Sequence, residues 1–271
     1  DDNITLLSSV NSNANETLSL DAGEFGDITL TGAVNLGSGD LTITDADVTT
    51  VTSTLAARDF TQSDGTTSTT FDGALDLSGN FDFTGVALTL TASGNTVGGS
   101  MDVTNAGVFT TADDADITVT GKFTQDGSST SSLGGNLTGT TGIDFKTAIA
   151  LTGTDAVTLV TGGATGQDMV LGEDNTTDIT GAGQALTLNA GGAGDIIVRG
   201  DVGAAAAELG AITIVGADQV QFDETLTAAS LTQSDGTTST RFDGSVRLLS
   251  DFAFTGETLS IHASVDADGS V

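Results

Sequence analysis

Apolar residues recur along this chain in short alternating bursts. Leu18-Ser19-Leu20, Ile28-Thr29-Leu30, Leu41-Thr42-Ile43, Leu75-Asp76-Leu77 and Phe81-Asp82-Phe83 each bracket one small or polar residue. The pattern continues through Leu88/Leu90, Met101/Val103, Ile117/Val119, Leu186/Leu188 and Ile212/Ile214. A period of two places one face of a strand in a core and the other in solvent. Bursts of three to five residues are too short to hold separate hairpins. Stacked on one another, they make long parallel sheets around a narrow core, each apolar residue above its counterpart at the strand spacing of about 4.8 Å. No segment carries apolar residues at helical spacing over any length.

The stretch "TQSDGTTST" occurs twice, at 61–69 and at 232–240, each time followed after one residue by Phe-Asp-Gly. The match extends through "TLAARDFTQSDGTTSTTFDGALDLSGNFDFTGVALTLTA" and "TLTAASLTQSDGTTSTRFDGSVRLLSDFAFTGETLSIHA". A worn copy between them, "FTQDGSSTSSLGGNLTGTTGIDF", runs from 123 to 145 as the second of three in chain order and has Leu133 where the first copy has Phe71. Phe60, Phe123 and Leu231 mark the same point in the three copies. With about 21 residues per coil, the intervals between them read as three and five whole coils, eight together, within the periods of stacked repeats. The expected fold is therefore all-β: one right-handed parallel β-solenoid over 1–271, about 12 or 13 coils and on the order of 60 Å long. Phe71, Phe81, Phe83, Phe242, Phe252 and Phe254 are expected in the core. Asp64, Asp126 and Asp235 precede glycines expected to turn left-handed corners. The threonines after them are expected on a solvent-facing strand. The run "GAAAAELG" around Ala204–Ala207 reads as a helical turn or a loop bulging from the stack.

Composition narrows the chemistry. The chain has 37 Gly, 12 Phe, and no Pro, Cys, Trp or Tyr; 37 Asp and Glu face 6 Lys and Arg, a net charge of −31. Such a surface repels nucleic acid, whose binding needs cations to displace counterions. It attracts divalent cations or serves solubility. Without Cys there is no disulfide or thiolate chemistry. No apolar run has the length of a membrane span, and no basic-then-apolar leader is visible. Both ends enter strand-like sequence directly, which predicts a segment of a longer or polymerising fibre: self-association, or continuation of a longer chain.

"LTLNAGGAGDIIVRGDVGAAAAELGAITI" and "SLTQSDGTTSTRFDGSV" resemble repeats of filamentous-haemagglutinin-like and autotransporter-passenger-like giant bacterial surface proteins. The resemblance spans about residues 41–263 and implies a right-handed parallel β-helix at the cell surface or outside the cell. It implies a structural or adhesive fibre, with a glycan-binding adhesin module as the alternative.

An enzyme, polysaccharide-active or other, is not expected. A glycosidase needs paired carboxylates, but acids at equivalent repeat positions come and go: Asp82 and Asp144 correspond to Ala253, and Asp72 and Asp243 to Gly134, while the aromatic platforms of sugar enzymes are missing. The single histidine, His262, aligns with Thr91 and is expected to be exposed, with no catalytic set around it. Candidate calcium ligands are Asp113, Asp114 and Asp116 in "TADDADIT" and Asp266 and Asp268 in "SVDADGS", with Glu173, Asp174 and Asp178 as a further acidic turn. Thr-x-Thr strands raise ice binding as a further alternative, set against spacings that are irregular along the sequence.

Overall fold

The structure is a computed structural model that describes residues 2–12, 15–204 and 207–270. Among these there is no helix: three parallel sheets of 9, 14 and 12 strands stack as a β-solenoid of about 12 turns. As far as Ile179–Thr180 each turn visits the first, second and third sheet in order; beyond it the first face continues through the bridges of Val202 into strands of the second sheet. The first sheet opens with Ile4–Leu6 and Ile28–Leu30, the second with Val10–Asn11 and Val34–Asn35, the third with Leu18–Leu20 and Leu41–Ile43. Every registered strand pairing is parallel, joining a burst to its counterpart one turn on, as Leu18 to Leu41, Leu41 to Phe60 and Phe60 to Phe81.

The inward residues of all three sheets form one continuous core from Leu20 to Phe252. Rings stack along the axis: Phe60 and Phe81 lie 4.8 Å apart at 25°, and Phe222 and Phe242 lie 5.2 Å apart at 12°. Of the phenylalanines expected inside, Phe71, Phe81, Phe83, Phe242 and Phe252 are buried. Phe254 is only half-buried, because its strand Phe252–Phe254 has a neighbour on one side alone.

The expected whole-coil spacing of the repeat holds for one interval and fails for the other. Phe60 and Phe123 both lie in third-sheet strands, three turns apart. Leu231, the counterpart of Phe60, lies in the second sheet, between Ile212 and Phe252. The third copy is thus rotated by one face, and the path from Phe60 to Leu231 makes seven and two-thirds turns instead of eight. The cause is coil length. Between the second and third copies the coils lengthen. Ile143 pairs with Met169, Met169 with Ile196, and Ile149 with Ile179, each across a longer stretch of chain than separates Phe60 from Phe81 or Phe81 from Met101. The excess leaves the stack in glycine-bearing loops, where Gly163, Gly166 and Gly183 adopt φ of 78°, 77° and 86°, a region open to glycine at little cost.

The rotated copy keeps its local geometry. Phe71 and Phe81 meet at 5.9 Å, and their counterparts Phe242 and Phe252 at 6.1 Å, both edge to face. The same sequence therefore builds the same corner from third to first sheet and from second to third.

Candidate functional site

The corner of the repeat is built differently from the sequence expectation. Gly65, Gly127 and Gly236 do not have positive φ. They are required by close approach: a Cβ at Gly65 would lie 2.5 Å from Gln62 Nε2, and one at Gly236 would collide with Gln233 Nε2 in the same way. Gln62, Gln125 and Gln233 each stand just before the Ser-Asp-Gly or Asp-Gly of their copy, fold inward and are buried. Thr69 Oγ1 donates to Gln62 Oε1 at 2.9 Å, Thr240 Oγ1 to Gln233 Oε1 at 2.8 Å, and Thr147 Oγ1 to Gln125 Oε1 at 2.5 Å. Thr69 and Thr240 thus face the core, against the expectation of a solvent-facing strand. The sequence signal for this was a Gln retained in all three copies. Thr66 and Thr67 do face solvent, where their hydroxyls donate to Asp47, and Thr237 and Thr238 donate likewise to Asp218. These bonds hold both carboxyls below the usual carboxylate range.

Many of the acids serve the strand entries. An Asp or Asn stands directly before many of the apolar bursts, and its side chain accepts the N–H of the aligned residue one turn on. Asp40 accepts from Asp59 at 3.3 Å, Asp59 from Asn80 at 2.7 Å, and Asn80 from Ser100 at 3.0 Å. Asp116 and Asn136 repeat this in the second sheet, Asp168 and Asp195 in the third, and Asp178 and Asp201 in the first. These backbone donors sit at corners, where a strand ladder alone leaves N–H groups unpaired. The pattern was readable in the sequence as Asp/Asn-apolar-x-apolar.

Of the candidate calcium ligands, Asp113 and Asp116 have carboxylates engaged by other turns. Asp113 accepts the N–H of Thr154 at 3.2 Å and its hydroxyl at 2.7 Å, which lowers its pKa. Asp114 stands at the corner apex with φ 62°. Asp116 binds the N–H of Asn136. Asp266 pairs in register with Arg247, and Asp268 donates its N–H to Leu248 O. In the further acidic turn, Asp174 binds Thr176 and Asp178 binds the N–H of Asp201. Among the described residues, no three or more Asp, Glu or His side chains come together as a metal-holding group. His262 is exposed and pairs with Asp243 at 2.7 Å, as Thr91 pairs with Asp72 at 3.0 Å.

The outward side of the first sheet carries a ladder that the sequence spacing concealed. Thr5, Thr29, Thr50, Thr70, Thr89 and Thr110 stand directly over one another in six consecutive turns, and Ser132 follows. The lengths of chain between successive members are unequal, longest from Thr5 to Thr29 and shortest from Thr70 to Thr89. The irregularity lies in the corners, and the hydroxyls stay in register because register belongs to the strands. The third sheet instead stacks Asp82 on Asp102. Burial, then the Asp102 and Asp59 charges, push the Asp82 carboxyl up.

Around Ala204–Ala207 the described residues form a loop leaving the stack, the second of the two expectations, and no helical turn. Ala204 and Ala207 exchange backbone hydrogen bonds as an antiparallel bridge, a tight excursion from the stack, while Ala205 and Ala206 lie outside the described residues. A cleft of about 450 Å³ lies beside it, lined by residues that include Asp201, Thr225, Thr227, Ser245, Arg247 and Asp266.

No protein-family model, curated protein or solved structure matches the chain.

Proposed function

We propose that this chain is a segment of an extracellular or bacterial cell-surface rod, structural or adhesive in function, of the kind its repeats resemble. The observation that carries this reading is strand register kept from turn to turn, with one shift after Leu188. The outer faces are continuous columns, mostly of small polar side chains, over one shared core. Repetition of this kind presents the same chemistry at intervals of about 4.8 Å along a lateral surface. Ile4, Leu6, Val10 and Leu18 at one end, and Phe254, Ile261, Val265 and Ala267 at the other, are partly buried and packed on the core. A second copy stacked on either end would complete their burial and pair their strands. Electron microscopy of the purified chain at rising concentration tests this. The expected result is rods on the order of 60 Å that join end to end; particles that stay isolated at every concentration would overturn the self-assembling form of the reading.

The threonine ladder favours a second reading, the ordering of water or ice on the first sheet. Its test is thermal hysteresis of the whole chain. A freezing-point gap lost on Thr70→Lys would support it, and no gap at any concentration would remove it.

A further inference from the structure

The cleft beside Ala204 brings together two side chains that no protein group among the described residues satisfies. Of the six Lys and Arg in the sequence, five are in ion pairs: Arg58 with Asp40 and Asp59, Lys122 with Asp144, Lys146 with Asp126, Arg199 with Asp223, and Arg241 with Asp243. Arg247, in a chain of net charge −31, has no hydrogen-bond or ion-pair partner for its guanidinium among the described residues. It lines the cleft. Thr227, its register partner one turn earlier, is only 4% exposed, yet its hydroxyl has no hydrogen-bond partner among the described residues. It lines the same cleft. The Thr227 hydroxyl and the exposed Arg247 guanidinium, neither taken by a protein partner among the described residues, face one concavity, where a bound ligand can accept from and donate to them.

The site is fixed by the fold. Leu226 pairs with Val202 and Val246, and Val246 with Val265. The residues before these four are Asp201, Thr225, Ser245 and Ser264, one column; the residues after them are Gly203, Thr227, Arg247 and Asp266, the next. Asp201 is held by the Thr225 N–H at 2.9 Å, and Ser264 Oγ donates to Ser245 Oγ at 3.2 Å. Gly203, at φ 67°, approaches so closely that a Cβ there would collide with Thr227 O. The excursion is thereby pressed against the sheet, forming one wall with Ala204.

We propose that this cleft binds a neutral saccharide, one or two rings long. The volume falls within the range of small-ligand sites. Arg247 supplies donors in a fixed fork, Asp201 and Asp266 supply acceptors, and Thr227 and Ser245 supply either. A sugar's vicinal hydroxyls donate and accept at once and match this mixture, and its C–H face suits Gly203 and Ala204. A free anion meets Asp201, Asp266 and the overall negative field, and a free cation meets Arg247, so an uncharged polyol is the chemistry that leaves no like charges opposed.

The proposal deepens the adhesive reading and rests on it, but its test is independent of rod assembly. Saturation-transfer NMR is recorded on the whole chain with a panel of neutral methyl hexosides at about 10 mM, where millimolar affinity is visible, and with methyl glucuronide as the charged comparison. The expected result is transfer to at least one neutral hexoside. Its dissociation constant rises at least tenfold in Arg247→Ala and stays unchanged in Arg58→Ala, with both variants melting as the parent does. Thr227→Val provides a second reading of the same site, weakening binding without touching charge. No transfer from any neutral hexoside, or transfer unchanged in Arg247→Ala, overturns the proposal. Stronger transfer to the glucuronide than to every neutral hexoside overturns the assignment of an uncharged ligand. End-to-end rods in the microscope together with no transfer would remove this site and leave the rod reading standing.

Discussion

Thr69 Oγ1 donates a buried hydrogen bond of 2.9 Å to Gln62 Oε1, seven residues earlier in the chain. The same bond, 2.8 Å long, joins Thr240 to Gln233 at a corner displaced by one face of the solenoid. The pair closes the corner from within and lets Gly65 or Gly236 pass over the amide. Thr69→Val keeps the shape and removes the donor, leaving a buried carbonyl oxygen unpaired. It is expected to cost about 1–3 kcal/mol. Thr240→Val should cost a similar amount, since the corner is the same on either face. Urea denaturation of both variants checks this; a loss in one and none in the other would show that the corner depends on its face.

Phe81 lies under Met101 and over Phe60, its ring stacked at 4.8 Å on the latter and fully buried. Phe81→Ala opens a void that a rigid stack of strands fills poorly, at a cost of about 3–5 kcal/mol. Phe254→Ala, at a half-buried ring, should cost clearly less. Equal losses at the two positions would contradict the axial core.

The fold was legible because each inward-facing burst is a direct consequence of period two. Leu18/Leu20 through Ile212/Ile214 are all strands with their apolar residues facing the core. The phase of the repeat was not legible. The interval from Phe60 to Leu231 is a whole number of coils only if every coil has the same length, and loops such as Gly162–Gly166 add residues without adding a strand. The candidate sites were less legible still. Asp113 and Asp116 look like ligands in a list of acids, yet each accepts a backbone N–H from another turn. The cleft at Arg247 depends on which residues lie one turn apart, and unequal coils hide that from any fixed spacing.

Acid pH is expected to act on the corners in two opposite ways. Hydroxyl donors lower the pKa of Asp47, Asp113, Asp174 and Asp218, and the Arg241 bond, then His262, lowers that of Asp243. Their contribution is present above the unfolded value of about 3.9 and is lost as pH falls through the lower folded values. Asp82 and Asp195 have raised values, from burial first in each case. Their folded state favours the neutral form, so their contribution is complete below the unfolded value and is lost as pH rises through the raised one. Asp82→Asn should therefore raise the melting temperature at pH 7, with the gain vanishing near about pH 3. A loss at pH 7 would contradict the stacked Asp82–Asp102 arrangement.

Self-repulsion among charges summing to −31 should be relieved by salt. Sodium chloride is expected to raise the melting temperature, and calcium chloride at equal ionic strength to raise it comparably. A calcium-specific rise that chelator reverses, and that Asp113→Asn abolishes, would instead support calcium binding at that turn.

The register of the threonine ladder is the structural claim on which the rod reading depends, and the chain has no native cysteine to complicate labelling. Spin labels on Thr29→Cys with Thr110→Cys, and on Thr29→Cys with Thr180→Cys, report distances along the first sheet by pulsed electron resonance. Thr29 and Thr110 are four turns apart, and Thr29 and Thr180 seven. With about 4.8 Å per turn, backbone separations of roughly 19 and 34 Å are expected, each a single narrow population. Distances that follow the number of intervening residues instead of the number of turns, or a broad spread for the longer pair, would contradict the stack.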